Sequence, residues 1–395
     1  LRFPAMERGE ARDYRAAVRQ IVVPDGAGET MALAVAELER GLQGMLGAAP
    51  PVAGEARRKG NLWLVSREAG LPQGAAIDMD ALGPEGYAIR SVAGGTVIAA
   101  NAETGVLYGA FHYLRLMQTR ARVDALDIAE TPSEDNSIIN HWDNLDRSVE
   151  RGYAGASIWD WHKLPDYLDP RYADYARALA SIGVNGVSLT NVNADAMALT
   201  PMYLEKAAAL ADVFRPYGVK VYQTARFSAP MEIGGLNTAD PLDPEVRAWW
   251  KAKADEIYEL IPDFGGFLVK ANSEGQPGPQ DYGRNHVDGA NMLADAVAPH
   301  GGVVMWRAFV YSELNPEDRA KQAYTQFVPL DGKFKDNVLV QVKNGPIDFQ
   351  PREPFHPMFG AMPKTPLMME FQITKEYLGF ATHLAYLGPY YEEVL

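Results

Sequence analysis

From residue 137 onward the sequence alternates short apolar segments with amphipathic ones, and this alternation constrains the fold more than any other feature. The amphipathic segments have helical spacing and predict helices over 172–182, 201–214, 244–260, 289–297 and 316–327. Strands that alternate with helices form a parallel sheet covered by helices. Seven segments have the composition of strands: SIINHWDN, GVNGVSLTNVN, GVKVYQTARF, GGFLVKANSE, GGVVMWRAF, NVLVQVKNG and PLMMEFQIT.

Two α/β architectures fit this alternation, an open doubly wound sheet and a closed barrel. A nucleotide-binding open sheet would place a Gly-rich phosphate loop after its first strand, and none follows that strand here. We therefore predict a (β/α)8 TIM barrel over 137–395. Only seven strands precede Leu395, so the barrel is expected to be truncated before its last strand.

The residues before the barrel predict a small N-terminal α/β domain over 1–125. It contains a helix over 31–46, a strand over 61–68, a hairpin that turns at Gly94–Gly95, and a helix over 104–117. The polar, Pro-interrupted segment 126–136 is typical of a linker. The chain starts at Leu1 without a charged and then apolar leader, so we expect a signal peptide to be absent or removed.

Composition excludes several classes of function. A net charge of −14 argues against nucleic acid as a partner, and no apolar run is long enough to span a bilayer. The absence of Cys excludes disulfides and thiolate chemistry, and the seven His show no paired metal-binding spacing. GxSxG, GxxxxGK[ST] and GxGxxG motifs are also missing. We therefore expect neither metal nor cofactor, and the cellular compartment stays open.

The ends of the predicted strands carry polar and aromatic residues. In barrel enzymes the active site lies at the C-terminal ends of the strands and in the loops that follow them. Because these ends meet at one rim, we expect the side chains to collect there. The groups are His141–Asn144, Asn191–Asn193, Arg226, Lys270 with Asn272 and Glu274, Trp306–Arg307, Lys343–Asn344 with Asp348, and Lys375–Tyr377.

These residue types suggest two chemistries. Carboxylates on different strands (Glu274, Asp348 and Glu376) could provide a proton donor and a water activator, as glycoside hydrolysis requires. The cations Lys270, Arg307 and Lys343 would suit a substrate that carries a carboxylate. Trp142 and Trp306 offer flat apolar faces for a sugar ring.

Each of these residues also has a purely structural interpretation. Lys270 and Glu274 could pair with each other, and either tryptophan could belong to the core. Glu370 lies within the last predicted strand, where a buried polar contact or the orientation of a neighbour is expected. The residues alone leave the catalytic and structural interpretations open.

Several long motifs in a fixed order resemble the α-glucuronidases of glycoside hydrolase family 67. They are NHWDNLDRSVERGYAG, LVKANSEGQPGP, MWRAFVY, QVKNGPIDFQPREP and MMEFQITKEYLGF, with EGYAIR and TGVLYGAFHYLRL near the N-terminus. The resemblance implies an inverting enzyme, without a metal, that removes α-1,2-linked 4-O-methyl-D-glucuronic acid from the non-reducing-end xylose of xylooligosaccharides. It also implies a further helical domain and a homodimer for the full-length protein.

The resemblance implies a role for each candidate residue. Glu274 in KANSEG matches the general acid. Asp348 in NGPIDF and Glu376 in QITKEY match the pair that activates water, with Glu370 as the fallback for the second. The remaining matches concern substrate binding: Lys270, Arg307 and Lys343 for the uronic acid, and Trp142 for the sugar pocket, with Val192 and Trp306 at the same rim.

Two alternatives to an α-glucuronidase stay open at this point. One is another barrel glycosidase that acts on acidic or N-acetylated sugars, because the N-terminal domain resembles one found in β-hexosaminidases. The other is a carbohydrate-binding fragment without turnover. The three cations favour an acidic substrate, and release of 4-O-methylglucuronate from an oligosaccharide would separate the three hypotheses.

Overall fold

The computed structural model describes residues 3–150, 155–310, 318–347, 353–373 and 386–394. The chain divides into two compact units. One consists of Leu1–Ile138, Pro170–Asn185 and Asp212–Val219, and the other of Ile139–Asp169, Gly186–Ala211 and Lys220–Leu395. None of the helices in the described ranges is long and apolar enough to cross a membrane.

The first unit contains a six-stranded mixed sheet in the order β2-β1-β3-β5-β4-β6. The predicted hairpin is confirmed: β4 and β5 pair antiparallel, and Gly94 with a φ of 100° supplies the left-handed turn between them. The helices bury their apolar stripes in one core with the sheet. The strands are β1 (Gln20–Val22), β2 (Val52–Ala53), β3 (Asn61–Ser66), β4 (Tyr87–Val92), β5 (Gly95–Ala100) and β6 (Asp127–Glu130), and the helices are α1 (Arg8–Ala17), α2 (Glu29–Leu46), α3 (Glu103–Gln118) and α4 (Arg171–Ala180).

Strand β6 lies in the interval 126–136 for which the sequence predicts a linker. It pairs antiparallel with β4, in a register that places Ile89 opposite Ile128. Three of its four residues are exposed, as expected for an edge strand. The apolar alternation that identifies the other strands is therefore weak here. The polar composition of this segment therefore does not prevent sheet pairing.

The second sheet contains all seven strands that the alternation predicts, in the order β13-β12-β11-β10-β9-β8-β7. Strand order follows chain order and the neighbouring strands are parallel, which is the arrangement of a (β/α)8 barrel, so the predicted fold class is confirmed. The strands are β7 (Ile138–Asn140), β8 (Gly186–Ser188), β9 (Lys220–Thr224), β10 (Gly266–Val269), β11 (Val303–Arg307), β12 (Val338–Lys343) and β13 (Leu367–Glu370).

Side-chain caps define where the connecting helices begin. Asp243 accepts hydrogen bonds from two backbone N–H groups at the start of α7, and Pro244 takes the first helical position. Asn285 caps α8, which therefore starts three residues before the predicted 289. The helices are α5 (Pro201–Phe214), α6 (Ala229–Glu232), α7 (Pro244–Leu260), α8 (His286–Val297), α9 (Arg319–Phe327), α10 (Met358–Ala361) and α11 (Gly388–Val394).

Candidate active site

Lys270 and Glu274 contact each other just after strand β10. Lys270 directly follows Val269, the last residue of the strand, and its Nζ donates to Asn193 Oδ1 at 2.8 Å and to Glu274 Oε2. The lysine side chain is 1% exposed, whereas the glutamate side chain is 43% exposed. The pair therefore presents its carboxylate to solvent and keeps its ammonium buried.

The chain reaches this contact through two residues in the left-handed region. Asn272 has a φ of 51° and Glu274 a φ of 50°, a conformation that costs about 1 kcal/mol for a residue with a Cβ. The Asn272 amide compensates by local hydrogen bonds: its Oδ1 accepts from Gln280 N at 3.0 Å, and its Nδ2 donates to Asp281 Oδ1 at 3.1 Å. Asp281 also accepts from Gly278 N at 3.0 Å. These bonds fix the turn that directs Glu274 back toward Lys270.

Asn193, in the loop that follows β8, connects the pair to the loop after β7. While its Oδ1 accepts from Lys270, its Nδ2 donates to Glu150 Oε2 at 2.8 Å. Its own backbone N–H donates to Asn191 Oδ1 at 3.0 Å, which limits its freedom to move. Val192, between the two asparagines, is 1% exposed. Among the strand-end residues 191–193, Asn193 is therefore the one whose side chain binds Lys270.

The environment of Lys270 shifts its proton equilibrium. Burial lowers the pKa of Lys270, and the nearby charge of Arg307 lowers it further. The hydrogen bond and charge of Glu274, together with the charge of Glu150, oppose this shift without cancelling it. Glu274 and Glu150 therefore stabilise the charged form of Lys270 against the effect of burial.

Arg307 and Glu370 form a second pair at the ends of β11 and β13. Arg307 Nε and Nη2 each donate to a carboxylate oxygen of Glu370 at 2.6 Å, and Gln341 Nε2 donates to the same carboxylate at 2.9 Å. The register explains the meeting: Arg307 lies beside Gln341, and Lys343 lies beside Glu370. Register partners in parallel strands share a face of the sheet, so all four point the same way.

Glu370 is held in its charged form. Burial by itself would raise the pKa of the Glu370 carboxyl, but Arg307, Lys343 and Gln341 together hold that pKa below its usual range. A buried carboxylate that is bound bidentately orients its arginine. This is the contact that the position of Glu370 inside the strand predicted.

Aromatic rings cover Arg307 of this pair and the neighbouring Lys343. Arg307 Cζ lies 5.5 Å from the ring centroid of Trp142 and 4.9 Å from that of Phe309, while Lys343 Nζ lies 3.1 Å from the Phe309 centroid. Such contacts stabilise a cation without neutralising it. Phe309 was not among the predicted site residues, although its place two residues after Arg307 puts it on the same face.

Trp306 points away from this group. Its side chain is fully buried, and its Nε1 donates to His286 Nδ1 of helix α8 at 3.2 Å. The ring packs edge-on against Phe227 at 6.2 Å. Neighbouring strand residues face opposite sides of a sheet, and Arg307 takes the inner side. The expectation that Trp306 offers a face to a sugar is thereby corrected.

The structure thus brings most of the described candidates together. Lys270, Glu274 and Asn193 form one cluster, and Arg307, Lys343, Glu370 and Trp142 form another. Val269 lies beside Trp306 in register, so Lys270 and Arg307, the next residues, place the two clusters at neighbouring strand ends. Asp348 and Glu376 lie outside the described residues, so their convergence with Glu274 stays a prediction. Residues 348 and 376 follow the ends of β12 and β13 in sequence.

A parallel sheet of this order, with acids and cations at the C-terminal strand ends, is the arrangement of a barrel glycoside hydrolase. Comparison with known families specifies the class further. Residues 1–113 match the N-terminus of glycosyl hydrolase family 67, and residues 116–395 match the middle domain of the same family. The chain belongs to glycosyl hydrolase family 67.

Curated relatives agree with this assignment. The chain is 43% identical over 408 residues to alpha-glucuronidase A of Emericella nidulans, an alignment that covers 98% of this chain and 48% of the relative. It is 47% identical over 321 residues to the alpha-glucuronidase of Hypocrea jecorina, covering 79% of this chain and 38% of that one. The chain spans about half the length of the curated relatives it matches over nearly its whole length.

Solved structures share the fold at low sequence identity. A family GH115 4-O-methyl-alpha-glucuronidase with specificity for decorated arabinogalactans superposes with a TM-score of 0.52 at 14% identity, covering 82% of this chain and 44% of that one. The GH20 beta-N-acetylhexosaminidase from Streptomyces coelicolor gives 0.52 at 13% identity, covering 89% and 71%. At these identities the likeness concerns the fold alone.

Proposed function

We propose that the protein is an inverting α-glucuronidase that hydrolyses the α-1,2 bond between 4-O-methyl-D-glucuronic acid and the non-reducing-end xylose of a xylooligosaccharide. Membership of family 67 and the names of the curated relatives support the activity. The acidic substrate rests on the cations of the site, and the inverting outcome rests on the family resemblance.

The observation that carries the proposal is the group of cations at the strand ends. Lys270, Arg307 and Lys343 are each at most 4% exposed and lie on three successive strands or their ends. Burying three cations is costly unless their charge has a use, and the chain as a whole is acidic, with a net charge of −14. A neutral oligosaccharide gives these cations no role, whereas a uronic acid provides a carboxylate for them to bind.

The proposed reaction assigns a carboxyl group to each side of the scissile bond. Glu274 gives its proton to the xylose oxygen as the bond to the glucuronosyl C1 breaks. Asp348, together with Glu376, takes a proton from water, whose oxygen attacks C1 from the opposite face. Inverting enzymes hold these carboxyls about 6.5–9.5 Å apart so that the water fits between them.

The second pair contributes to binding in this scheme. Glu370 fixes the guanidinium plane of Arg307, and the Phe309 ring lies under Lys343. Both cations then meet the uronic acid from a rigid support, which reduces the entropy lost on binding. Trp142 contributes the apolar wall beside Arg307.

Release of sugars from aldotriouronic acid, with xylotriose as the neutral comparison, tests the proposal. We expect 4-O-methylglucuronic acid and xylobiose from the acidic substrate and no cleavage of xylotriose. Proton NMR early in the reaction should show the β anomer of the released uronic acid, which is the inverted product. Failure of the full-length protein to release the uronic acid would overturn the activity, and an initial α anomer would overturn the inverting mechanism.

We also propose that the full-length protein forms a homodimer, as the family resemblance implies. Multi-angle light scattering on the full-length protein would give twice the mass of one chain. A monomer at micromolar concentration would contradict this proposal and leave the enzymatic one unaffected.

A further inference from the structure

We infer that Lys270 exchanges its counter-ion when substrate binds: the uronate takes the place of the Glu274 carboxylate, and the displaced carboxylate takes up a proton from solvent. The inference rests on the proposed function, because it requires a uronate at this site. It assigns Lys270 a second task besides binding, since the same ammonium sets the protonation state of the catalytic acid.

The geometry of the pair supports the exchange. The Lys270 ammonium is buried and its contact with Asn193 fixes its position, whereas the Glu274 side chain is nearly half exposed. Glu274 also sits on a loop, outside strand β10. Of the two partners, the glutamate is therefore the one that can leave. An anion that comes from solvent to Lys270 competes with Glu274 for the same ammonium.

A general acid must carry a proton when the glycosidic bond breaks, and the exchange provides that proton. A carboxylate in contact with an ammonium is stabilised in its charged form, and in that form it has no proton to give. Two carboxylates at one ammonium repel each other, so the second favours protonation of the first. The uronate carries the charge at Lys270, and Glu274 becomes the protonated partner.

The other charged groups around Lys270 do not take over the role of the uronate in the protonation of Glu274. Glu150 reaches the site through Asn193, whose Nδ2 it binds, and its negative charge adds to the repulsion felt by a second anion. The charge of Arg307 acts in the opposite direction, but its Nε and Nη2 are bound to Glu370. With Glu274 at Lys270, Glu150 is bound to Asn193 and Arg307 to Glu370.

The protons balance over a catalytic cycle. Uronate binding brings one proton from solvent to Glu274, and this proton passes to the xylose oxygen as the glycosidic bond breaks. The base pair takes one proton from the attacking water and later releases it to solvent. When the glucuronate product leaves, the ionised Glu274 returns to Lys270.

Titration calorimetry with glucuronate in two buffers of different ionisation enthalpy measures the proton uptake directly. Near neutral pH we expect about one proton taken up per glucuronate bound, and a glucuronate affinity that falls about tenfold per pH unit toward alkaline pH. In Glu274→Gln we expect glucuronate to bind at least as tightly, with no proton uptake and no such pH dependence. Glu256→Gln, which removes the carboxylate of the Lys253–Glu256 pair on helix α7, is the matched control and should keep the wild-type uptake.

The outcomes separate this inference from the proposed function. Glucuronate binding without proton uptake in the wild type overturns the exchange, even if aldotriouronic acid is still hydrolysed. Equal uptake in the wild type and Glu274→Gln overturns it as well, because the proton then goes elsewhere. Absence of both glucuronate binding and hydrolysis overturns the exchange together with the proposed function.

Discussion

Arg307 and Glu370 share two hydrogen bonds of 2.6 Å, and both side chains are almost completely buried, at 1% and 8% exposed. They are 63 residues apart in sequence, on strands separated by β12. Breaking a buried pair by removing one partner leaves an uncompensated charge, so each residue constrains the other strongly. The pair makes Glu370 a positioning residue for a cation of the site.

Glu370→Gln should therefore weaken substrate binding more than it slows the reaction. The amide keeps the volume but cannot neutralise Arg307, so we expect KM for aldotriouronic acid to rise at least tenfold, a smaller drop in kcat, and a loss of about 3 kcal/mol in unfolding free energy. Steady-state kinetics and urea unfolding check these values. Glu37 and Arg177 form a buried pair in the first unit, which does not contain the candidate site. Glu37→Gln breaks that pair and should lose stability at unchanged KM. A fall in kcat of several orders at constant KM would instead identify Glu370 as a base.

Glu274→Ala should lower kcat on aldotriouronic acid by about 10²–10⁴-fold, the usual contribution of general acid catalysis. An aryl glucuronide whose leaving group needs no proton should be much less affected. Direct binding of aldotriouronic acid, measured by calorimetry, should be retained. Lost binding at a normal rate would contradict the assignment of Glu274 as the acid.

Asn193→Ala removes the amide that Lys270 and Glu150 share. Losing a hydrogen bond to a charged group costs about 1.5–3 kcal/mol, so we expect kcat/KM to fall at least tenfold, mainly through KM. Asn337→Ala is the matched control, because that amide binds two backbone carbonyls, Ala294 O and Gly302 O, away from the candidate site residues. The control should lose stability and keep its KM. Equal effects on KM in both variants would contradict a role for Asn193 in the site.

Trp306→Phe tests the corrected position of this tryptophan. The variant loses the hydrogen bond to His286, and we expect a loss of about 1 kcal/mol in unfolding free energy with KM unchanged. Trp142→Ala, by contrast, should raise KM, since that ring lies against Arg307. A rise in KM for Trp306→Phe comparable to that for Trp142→Ala would restore Trp306 to the sugar pocket.

Stability should fall on acidification because of His286. Burial lowers the pKa of His286 from 6.5 to about 4. Between these pH values the unfolded chain binds a proton at His286 that the folded protein does not. The stability that depends on a neutral His286 is therefore fully present above pH 6.5 and is lost as the pH falls toward 4. The loss is on the order of 3 kcal/mol, and urea unfolding at several pH values measures it.

His286→Phe should show a smaller drop in stability over the same pH range. The ring stacks on Phe327, so an aromatic replacement fits the site better than a small one. His300→Phe is the matched control, because His300 is partly exposed and pairs with Asp255. An unchanged pH dependence in His286→Phe would contradict the assignment of this loss to His286.

The fold could be predicted from the sequence because its signals are local. Alternating strand and helix patterns and the Gly94–Gly95 turn all lie within a few residues of the elements they define. The Asn285 cap was not recognised, so α8 starts earlier than predicted. Strand β6 was missed since an exposed edge strand needs no apolar alternation. Position at the strand ends also identified the cations and Glu274, because a barrel brings those ends together.

Contacts within the site were harder to predict, because they depend on register. Nothing local in VVMWR tells which of Trp306 and Arg307 faces inward, and the partner of Arg307 lies on another strand. The left-handed conformation of Glu274 has no signal either, since glutamate rarely adopts it. Asn193 belongs to the predicted strand-end group, but its contacts with Lys270 and Glu150 join residues 77 and 43 positions apart and have no local signal.

The hydrogen bonds of Asn272 anchor the segment that carries Glu274 separately from the strand that carries Lys270. Asn272 ties the segment with Glu274 to Gln280 and Asp281, just ahead of the Asn285 cap, whereas Lys270 continues directly from strand β10. The carboxylate of Glu274 and the ammonium of Lys270 thus belong to two separately anchored pieces of backbone, with Ala271 between them. The sheet therefore sets the position of the ammonium, and the turn around Gly278 and Asp281 sets that of the carboxylate.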